Sequence, residues 1–579
     1  MRGRVENFSI LIGGKAGFGI DKSGSIIAYI INRLGYRVYV YRDYPSIIRG
    51  GHTFSIIRSS SDRIYSHRNS VDCLLALNQD TINFHKSRLK SNSIIIYDAD
   101  AVRCEETCPV KDAIGIPIAK ILKEEGAPEI MRNTCIIGSL SKIIGVEWIV
   151  VEQVLKKEIT KEIDLNLAVA RRGYDQVNTL SFSKSLDRNP LPLLTGNEAI
   201  GLGLIRGGIK AYISYPMTPT SPILHFLAGI ADDFSLKVIH PESEIAVILM
   251  ALGFSYCGMS AAVGTSGGGF CLMTEGLSFS GMAELPVTIV LGQRPGPSTG
   301  LPTYTSQTDL PFALYAGQGE FPRLVVAPGD AEESYFWSAV SVEMSRKFQI
   351  PSIILVDKTV CEGTYNFDIN SIDEINLEPA PLWDGKKPYK RYAVTKTGVS
   401  PLAFVPDKDA VIKVNSYEHD EYGITTEDPV MTVQMQDKRL RKEKFLMKEA
   451  ARYETVKSYG NKDSSIILLC WGSNKGVCVE AAEKLNIKVV QPILLSPFPI
   501  DEFKDAIKGA EMIISVENSA TGRLREHLGR YGINIDKEIL KYDGRPFSVD
   551  ELEDRIIAVQ NSAIAPSPFS SPPKGERAG

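Results

Sequence analysis

Three stretches of this sequence alternate short apolar segments with helical patterns, and this alternation constrains the fold more than any other feature. In the first stretch, residues 8–12 read as a strand, a helical pattern follows, and residues 37–41 read as a second strand. Strands and helices that alternate in this way form a largely parallel sheet with helices on its faces. The sequence therefore predicts the α/β fold class, in several domains.

Composition shifts along the 579 residues place the domain boundaries. This length predicts roughly three to four domains, and the polar, proline-rich segment around residues 186–195 separates the first two blocks. Within the later part, the charged segment 437–459 predicts a solvated helix. We predict a Rossmann-like domain over residues 1–186, a second α/β domain over 187–365, an irregular linker region over 366–463, a third α/β domain over 464–564 and a disordered tail over 565–579.

Charge and cysteine content exclude several classes of protein. The net charge is −4, and no long basic run provides an electrostatic basis for binding nucleic acid. No apolar stretch approaches the ~18 residues of a membrane span, and the N-terminus lacks a secretory signal, so we expect a cytoplasmic protein. The nine cysteines are scattered, with Cys104 and Cys108 as the only close pair. They do not form an iron–sulfur or zinc pattern, so we expect reduced thiols and no metal held by this chain.

A glycine-rich turn over residues 13–19 is the first candidate site. Backbone N–H groups of Gly13, Gly14 and Gly17 could hold a phosphate or similar anion of a cofactor ahead of the helix. The match to G-x-G-x-x-G is incomplete because Ala16 occupies the middle place. A tight turn that needs glycine for its backbone conformation explains the pattern equally well.

The loop that follows the second strand contains Arg49 and His52, with the hinge glycines Gly50 and Gly51 between them. Functional residues often lie on such loops. A plain surface position explains His52 equally well.

Three prolines rigidify residues 215–222, directly after the strand predicted at 211–214, and leave hydroxyl groups at Thr218, Thr220 and Ser221. Ligands of open α/β sheets bind at the carboxyl ends of the strands, where these hydroxyls are expected. The alternative is that they only cap the next helix.

Glu244 stands at the start of a helical segment, residues 245–253, that is apolar on all sides. Such a helix is expected to be buried on most faces. A carboxylate in these surroundings needs a partner. It either stabilises the helix N-terminus through the helix dipole or serves a ligand.

Residues 265–270 and 293–303 follow two neighbouring predicted strands and should lie at one edge of the sheet. The planar guanidinium of Arg294 suits a carboxylate, and the hydroxyl of Thr299 can add a hydrogen bond. Prolines in the second loop favour a preorganised site. A structural salt bridge is the alternative role for Arg294.

Taken with these residues, the sequence resembles the 2-oxoacid:ferredoxin oxidoreductases, and in particular α subunits with a γ domain fused to the N-terminus. Met217 replaces isoleucine in a segment that is otherwise similar to the family's Y-P-I-T-P motif. The resemblance implies a γ domain, a pyrimidine-type thiamine-diphosphate-binding domain and a transketolase C-terminal-like domain. It is carried by residues 13–19, 44–51, 215–221, 242–253, 265–303, 418–423 and 541–547.

The resemblance implies oxidative decarboxylation of a 2-oxoacid with coenzyme A, giving an acyl-CoA, CO2 and reduced ferredoxin. Thiamine diphosphate supplies the carbon chemistry. Glu244 matches the glutamate that hydrogen-bonds the aminopyrimidine ring of this cofactor. Thr218, Arg294 and Thr299 match the residues that hold the substrate carboxylate.

The motif that holds Mg²⁺ and the diphosphate is absent from this sequence, as are cluster cysteines, and in the family both belong to the β subunit. The resemblance therefore implies a shared active site in an (αβ)2 assembly that carries Mg²⁺ and [4Fe-4S] on the partner. Among substrates, 2-oxoglutarate is favoured, while pyruvate and other 2-oxoacids stay open. A non-redox thiamine half-enzyme of the transketolase or oxoacid dehydrogenase type and a non-catalytic scaffold subunit are the alternatives.

Overall fold

Three β-sheets organise the part of the chain that the computed structural model describes, residues 7–46, 51–104, 110–180 and 185–561. Each sheet has helices against its faces and corresponds to one of the three alternating blocks of sequence. The predicted α/β class is confirmed. Arg49, Cys108 and the predicted tail 565–579 lie outside the described residues.

The first domain opens with a strand, a helix and a second strand, as the sequence predicts. A third strand lies between these two and is antiparallel to both, so the two strands are not neighbours. The strands are β1 (Asn7–Lys15), β2 (Arg37–Asp43), β3 (His52–Ser60), β4 (Val71–Ala76), β5 (Leu89–Asp98) and β6 (Asp112–Ile116). The helices are α1 (Ile20–Arg33), α2 (Gln79–His85), α3 (Ile118–Glu125), α4 (Arg132–Ile144), α5 (Trp148–Glu158) and α6 (Ile163–Asp175), with 3-10 turns at Lys86–Arg88 and Glu129–Met131.

The second domain contains a parallel sheet flanked by helices. The central strands of this sheet, at residues 261–266, 287–293 and 351–357, are buried along their whole length, as is typical of parallel strands. The strands are β7 (Leu193–Thr195), β8 (Ala211–Ile213), β9 (Lys237–Ile239), β10 (Ala261–Ser266), β11 (Val287–Gln293), β12 (Leu324–Val326), β13 (Pro351–Asp357) and β14 (Thr364–Asn366). The helices are α7 (Gly196–Arg206), α8 (Ser221–Gly229), α9 (Glu244–Tyr256), α10 (Gly267–Ala283), α11 (Leu310–Tyr315), α12 (Ala331–Phe348) and α13 (Lys358–Glu362), with a 3-10 turn at Ile369–Ser371.

The third domain has a smaller sheet, preceded by one long helix. Its first strand falls within the segment predicted as an irregular linker region. The strands are β15 (Val456–Gly460), β16 (Ile466–Leu469), β17 (Lys488–Pro492), β18 (Leu494–Ser496), β19 (Met512–Glu517) and β20 (Lys537–Leu540). The helices are α14 (Pro429–Ala450), α15 (Asn474–Leu485), α16 (Ile500–Ala506), α17 (Arg523–Gly529) and α18 (Val549–Asn561).

Neighbouring domains share strands. The first sheet has the order β6-β5-β4-β1-β3-β2-β14-β7, so two short strands from the second domain complete it. The second sheet has the order β18-β12-β13-β11-β10-β8-β9, and its outer strand comes from the third domain. The third sheet has the order β15-β17-β16-β19-β20. One apolar core also runs from the second sheet into the third, with Leu291, Leu469 and Trp471 among its members.

Helix α14 differs from the solvated helix predicted at residues 437–459. It begins eight residues earlier, where Asp428 accepts a hydrogen bond from the Met431 amide and Pro429 occupies the first turn. Lys438 and Lys442 are 0% and 1% exposed. Both ammonium groups contact the buried carboxylate of Glu284, at 2.7 and 2.5 Å. The charges of this segment predicted a solvent-exposed helix, because the sequence pattern does not show that Glu284 is a buried partner for the two lysines.

Helix α9 departs from expectation in the opposite direction. The sequence predicts burial on most faces, but Ile245, Leu249 and Met250 are 49%, 50% and 42% exposed. The opposite side, which includes Val247 and Leu252, packs into the core of the second domain. An apolar stripe of this helix is therefore open in the single chain.

The expectation of nine reduced cysteines is wrong for Cys104, which is disulfide-bonded. Seven other described cysteines are free thiols. No cluster of His, Cys, Asp or Glu in the described ranges could hold a metal ion. None of the helices in this part of the chain has both the length and the apolar character needed to cross a membrane.

Candidate active site

The candidate residues of the second domain converge at the carboxyl ends of β8, β10 and β11. These three strands are neighbours and parallel, so the loops that follow them lie side by side. Strand β10 extends to Ser266, two residues further than predicted, and Gly267–Ala283 forms α10 directly after it. The glycines expected in a loop thus form the N-terminus of a helix at the edge of the sheet.

Glu244 is buried, 4% exposed, in the first turn of α9. Its Oε1 atom has no hydrogen-bond partner among the described residues. The helix is capped instead by Ser243, whose hydroxyl accepts from the Ala246 amide at 3.5 Å. Gly269 leaves room for the carboxylate, since a Cβ there would lie 2.5 Å from Oε1 of Glu244. The Glu244 carboxylate therefore lies at the sheet edge, where its Oε1 atom is available to accept a hydrogen bond.

Arg294 reaches across to the proline-rich loop after β8. Its Nη1 donates a hydrogen bond to the backbone oxygen of Thr218 at 3.1 Å. Burial lowers the pKa of Arg294, and the nearby Asp309 carboxylate opposes that shift. The guanidinium stays charged at any physiological pH. The structure therefore brings together Arg294 and Thr218, two of the residues predicted to bind substrate.

The loop after β11 forms a closed turn. The Leu301 amide donates to the Pro295 oxygen at 2.9 Å. Gly300 has a φ of +52°, and a Cβ there would lie 1.8 Å from that same oxygen, so only glycine fits. Thr299 lies beside it on the exposed side of the loop. Its role in substrate binding stays a prediction.

Asp309 is a further site residue that the sequence analysis missed. Its Oδ2 would lie 2.8 Å from a Cβ on Gly267, next to the N-terminus of α10. Burial raises the pKa of Asp309 to about 6, opposed by the Thr308 hydroxyl and Arg294. Asp309 lies six residues beyond the predicted loop, and its local sequence does not distinguish it from an ordinary helix-capping residue.

Buried polar atoms without partners occur in every domain of the described chain, and some of them lie at this edge. Among the described residues, Oε1 of Glu244, Oγ of Ser266, Nε of Arg294 and Oγ1 of Thr303 are enclosed but make no hydrogen bond. Buried polar groups are normally paired, so a cluster of exceptions points to a ligand or partner that would satisfy them. The site can accept a group with both donors and acceptors.

The first-domain candidates lie elsewhere, in another sheet. Gly13 and Gly14 are buried inside β1 rather than in a turn. Space explains their small size, since a Cβ on Gly13 would lie 2.7 Å from Cγ2 of Thr81. Gly17 is exposed in the turn, with nothing within 4 Å of an added Cβ. Their role in anion binding stays a prediction.

His52 is partly buried, and its Nε2 lies 2.8 Å from Nε2 of His85. Burial lowers the pKa of both imidazoles, for His85 to about 3. The pair is therefore neutral near pH 7. A plain surface position does not describe His52.

Two protein-family models match the chain. Residues 9–176 match the family described as pyruvate ferredoxin/flavodoxin oxidoreductase. Residues 202–438 match the thiamine-diphosphate-binding part of pyruvate flavodoxin/ferredoxin oxidoreductase. Fold, site and family models together define an oxidoreductase subunit with a thiamine-diphosphate-binding-type domain.

Relatives match over nearly the whole chain. The 2-oxoacid:ferredoxin oxidoreductase subunit alpha of Saccharolobus solfataricus is 31% identical, covering 95% of this chain and 97% of its own. The 2-oxoglutarate oxidoreductase subunit KorA of Mycobacterium tuberculosis is 26% identical, covering 95% and 91%. The chain belongs to the 2-oxoacid:ferredoxin oxidoreductase family, in which it corresponds to the α subunit.

A solved structure agrees. The 2-oxoglutarate:ferredoxin oxidoreductase of Magnetococcus marinus, with 2-oxoglutarate, coenzyme A and succinyl-CoA bound, superposes with a TM-score of 0.86 at 27% identity. The match covers 96% of this chain and 100% of that one. The expected fusion of a γ-like domain to an α subunit is consistent with these end-to-end matches.

Proposed function

We propose that this α subunit takes part in the oxidative decarboxylation of 2-oxoglutarate with coenzyme A, giving succinyl-CoA, CO2 and reduced ferredoxin. The observation that carries the proposal is the Arg294–Thr218 contact, at the same sheet edge as the unpartnered Glu244 carboxylate. The bound ligands of the Magnetococcus enzyme and the name of the mycobacterial relative favour 2-oxoglutarate. Relatives named for 2-oxoacids in general make pyruvate the substrate to compare.

Glu244 fits thiamine diphosphate. A buried carboxylate oxygen without a partner suits a hydrogen bond to a ring nitrogen of an aminopyrimidine. When bound, this cofactor supplies a carbanion that attacks 2-oxo groups. Glu244 would hold a proton on the pyrimidine ring, and its buried setting strengthens that bond because the local dielectric is low.

Arg294 would bind the carboxylate next to the oxo group. Its Nη1 is engaged with Thr218, which leaves Nε and the other amino group to face a ligand. A guanidinium held by a neighbouring loop is preorganised, so less ordering is needed when substrate binds. The hydroxyl of Thr299, on the open side of the turn, would add a hydrogen bond. Gly17, in its exposed turn, would be available to an anionic group such as a phosphate of coenzyme A.

The open stripe of α9 would bind the partner β subunit. Ile245, Leu249 and Met250 adjoin Glu244, and Leu272 on α10 is likewise exposed. Exposed apolar patches of this kind mark protein interfaces. A partner seated there would cover the Thr299 side of the site and bring Mg²⁺, the diphosphate-binding residues and the [4Fe-4S] cluster that passes electrons to ferredoxin. We propose an (αβ)2 assembly in the cytoplasm.

The first test is turnover by the complex purified after co-expression with the partner subunit. Reduction of ferredoxin should require coenzyme A, and kcat/KM should be highest for 2-oxoglutarate in a panel of 2-oxoacids. A complex without an iron–sulfur cluster or without ferredoxin reduction would instead favour the non-redox thiamine enzyme. Turnover by the isolated α subunit would contradict the shared site.

Two substitutions separate a catalytic role from a scaffold role. Arg294→Ala should raise KM for the 2-oxoacid by on the order of 100-fold, since a buried charge contact is lost. Arg441→Ala is the matched control, because Arg441 also donates from Nη1 to a backbone oxygen, that of Thr395, away from the site. Glu244→Gln should lower kcat about 100- to 1000-fold, while Glu242→Gln, two residues earlier and exposed, should not. Unchanged kinetics in both site variants would favour the scaffold.

A further inference from the structure

The loop that carries Arg294 is held at its far end by another domain. We define the arginine loop as residues 294–309. Its first half is anchored by the contact of Arg294 with Thr218 and by the turn that Leu301 closes onto Pro295. Its second half runs against the third domain. The position of Arg294 and Thr299 therefore depends on contacts that lie outside the second sheet.

Gln307 is the centre of those contacts and is fully buried. Its Nε2 donates to the backbone oxygen of Trp471 at 2.7 Å. Its Oε1 accepts from the backbone amide of Asn518 at 3.0 Å and from Nδ2 of Asn474 at 2.7 Å. Its own amide donates to the Asn518 oxygen at 2.7 Å. All three partner residues belong to the third domain.

A second anchor lies two residues earlier. The Thr305 amide donates to the Gly544 oxygen at 3.0 Å, and the Arg545 guanidinium lies 3.9 Å from the ring centre of Tyr304. The two anchors are themselves linked, because Nδ2 of Asn518 donates to the Arg545 oxygen at 3.2 Å. The loop is thus fixed at consecutive points by three segments of one domain, at residues 471–474, 518 and 544–545.

We propose that Gln307 is a positioning residue, through which the third domain holds the arginine loop in the geometry that binds the 2-oxoacid. The inference rests on the proposed role of Arg294 and Thr299. A loop with several exposed residues and only two internal backbone hydrogen bonds, from Leu301 to Pro295 and from Tyr304 to Leu301, has freedom that the anchor removes. Displacing a binding group by about 1 Å costs on the order of 100-fold in rate, so loosening this loop should affect substrate use strongly.

The kinetic test uses the assembled complex with Gln307→Ala in the α subunit. KM for the 2-oxoacid should rise at least about 10-fold, while KM for coenzyme A stays within about twofold. Gln491→Ala is the matched control. Gln491 is equally buried and also bridges domains, because its Nε2 donates to Glu333 at 2.9 Å and its Oε1 accepts from the Tyr459 hydroxyl at 3.0 Å. That variant should lower stability without raising KM.

A second readout does not depend on turnover. Amide hydrogen exchange at Leu301, Tyr304 and Thr305 should accelerate at least about 10-fold in Gln307→Ala but not in Gln491→Ala. Gln307→Met keeps much of the side-chain volume and removes the side-chain hydrogen bonds without placing a charge in this buried site, so it should give a change in the same direction. This second variant replaces Gln307→Ala in both measurements if the alanine variant does not fold.

Unchanged KM and unchanged exchange in the Gln307 variants would overturn the proposal, as would equal changes in Gln491→Ala. If the wild-type complex turned over no 2-oxoacid, the proposed function would fail. The exchange comparison would still decide whether Gln307 holds the loop.

Discussion

Helices α9 and α14 have opposite sequences and opposite environments. Residues 245–253 of α9 are apolar on every side, yet Leu249 is half exposed. Helix α14 carries charges from residue 437 onward, yet Lys438 and Lys442 are buried. In each helix, these side chains lie in an environment opposite to the one that the composition predicts.

The difference lies in what completes each surface. Lys438 and Lys442 of α14 find their counter-charge within the chain, at Glu284, so the face of the helix that carries them can be buried. The apolar stripe of α9 finds no cover among the described residues of the same chain. The exposed apolar residues of α9 therefore indicate a missing partner molecule, whereas the buried lysines of α14 indicate a distant partner residue within the same chain. The predictions below alter one helix at a time.

The largest effect is expected from Glu284→Ala. The substitution leaves Lys438 and Lys442 buried without a carboxylate, which should lower stability by about 3 to 5 kcal/mol. Thermal and urea midpoints of the chain measure the loss. Asp409→Ala, which removes the exposed ion pair with Lys387, is the control and should change stability by less than about 1 kcal/mol. A loss no larger than that of the control would show that the buried cluster does not hold α14.

The next effect concerns assembly rather than stability. Leu249→Asp places a charge in the open stripe of α9 and should weaken binding of the partner subunit at least 10-fold, or about 1.4 kcal/mol. The melting temperature of the isolated chain should hardly change, because the side chain is already half exposed.

Val430→Asp, at an exposed apolar position of α14, is the matched control for assembly. It should leave affinity for the partner unchanged in a titration by calorimetry or light scattering. Equal losses in both variants would show that α9 is not a specific interface.

A smaller, pH-dependent effect is expected at Lys442. Burial lowers the pKa of this lysine to about 7, against the opposing effect of Glu284. An unfolded lysine has a pKa near 10.4, so between these values the unfolded chain binds more protons and wild-type stability rises with pH. At pH 6 the buried charge costs most. The stability of Lys442→Met relative to wild type should therefore fall between pH 6 and pH 9. A variant that is less stable than wild type at pH 6 but not at pH 9 would contradict this reasoning.

The smallest effects concern the two helix starts. Asp428 accepts from the Met431 amide at 2.7 Å, whereas Ser243 accepts from the Ala246 amide at 3.5 Å. Asp428→Ala should therefore cost about 1 kcal/mol and Ser243→Ala about 0.5 kcal/mol or less. Equal melting shifts in the two variants would show that cap geometry does not distinguish these helices.

Much of the fold follows from sequence pattern. Strands β11 and β13 each contain a short apolar run, at residues 289–291 and 353–356, and an aspartate cap predicts where a helix such as α12 begins. Features that depend on distant partners do not follow. The insertion of β3 between β1 and β2 requires knowing how a third segment pairs, and the bounds of α14 depend on the position of Glu284.

The site was predicted in part for the same reason. Glu244, Thr218 and Arg294 each follow a strand or begin a helix, so sequence order alone indicates that they meet. Asp309 and Gln307 act through contacts across the fold, with Gly267 in one case and the third domain in the other. Local pattern contains no sign of either. Gly13 and Gly14 were expected in a turn, but the strand continues through them, where they pair with Phe54 and Thr53 of β3.

The exchange of strands between sheets has a consequence for biosynthesis. Strand β14, at residues 364–366, covers the edge of β2 and links it to β7. A ribosome must therefore pass residue 366 before the amino-terminal sheet can close, and until then its edge is open to pairing with other chains. Any division of the gene between the first two domains would leave each product with an unpaired strand edge that a new segment would have to cover.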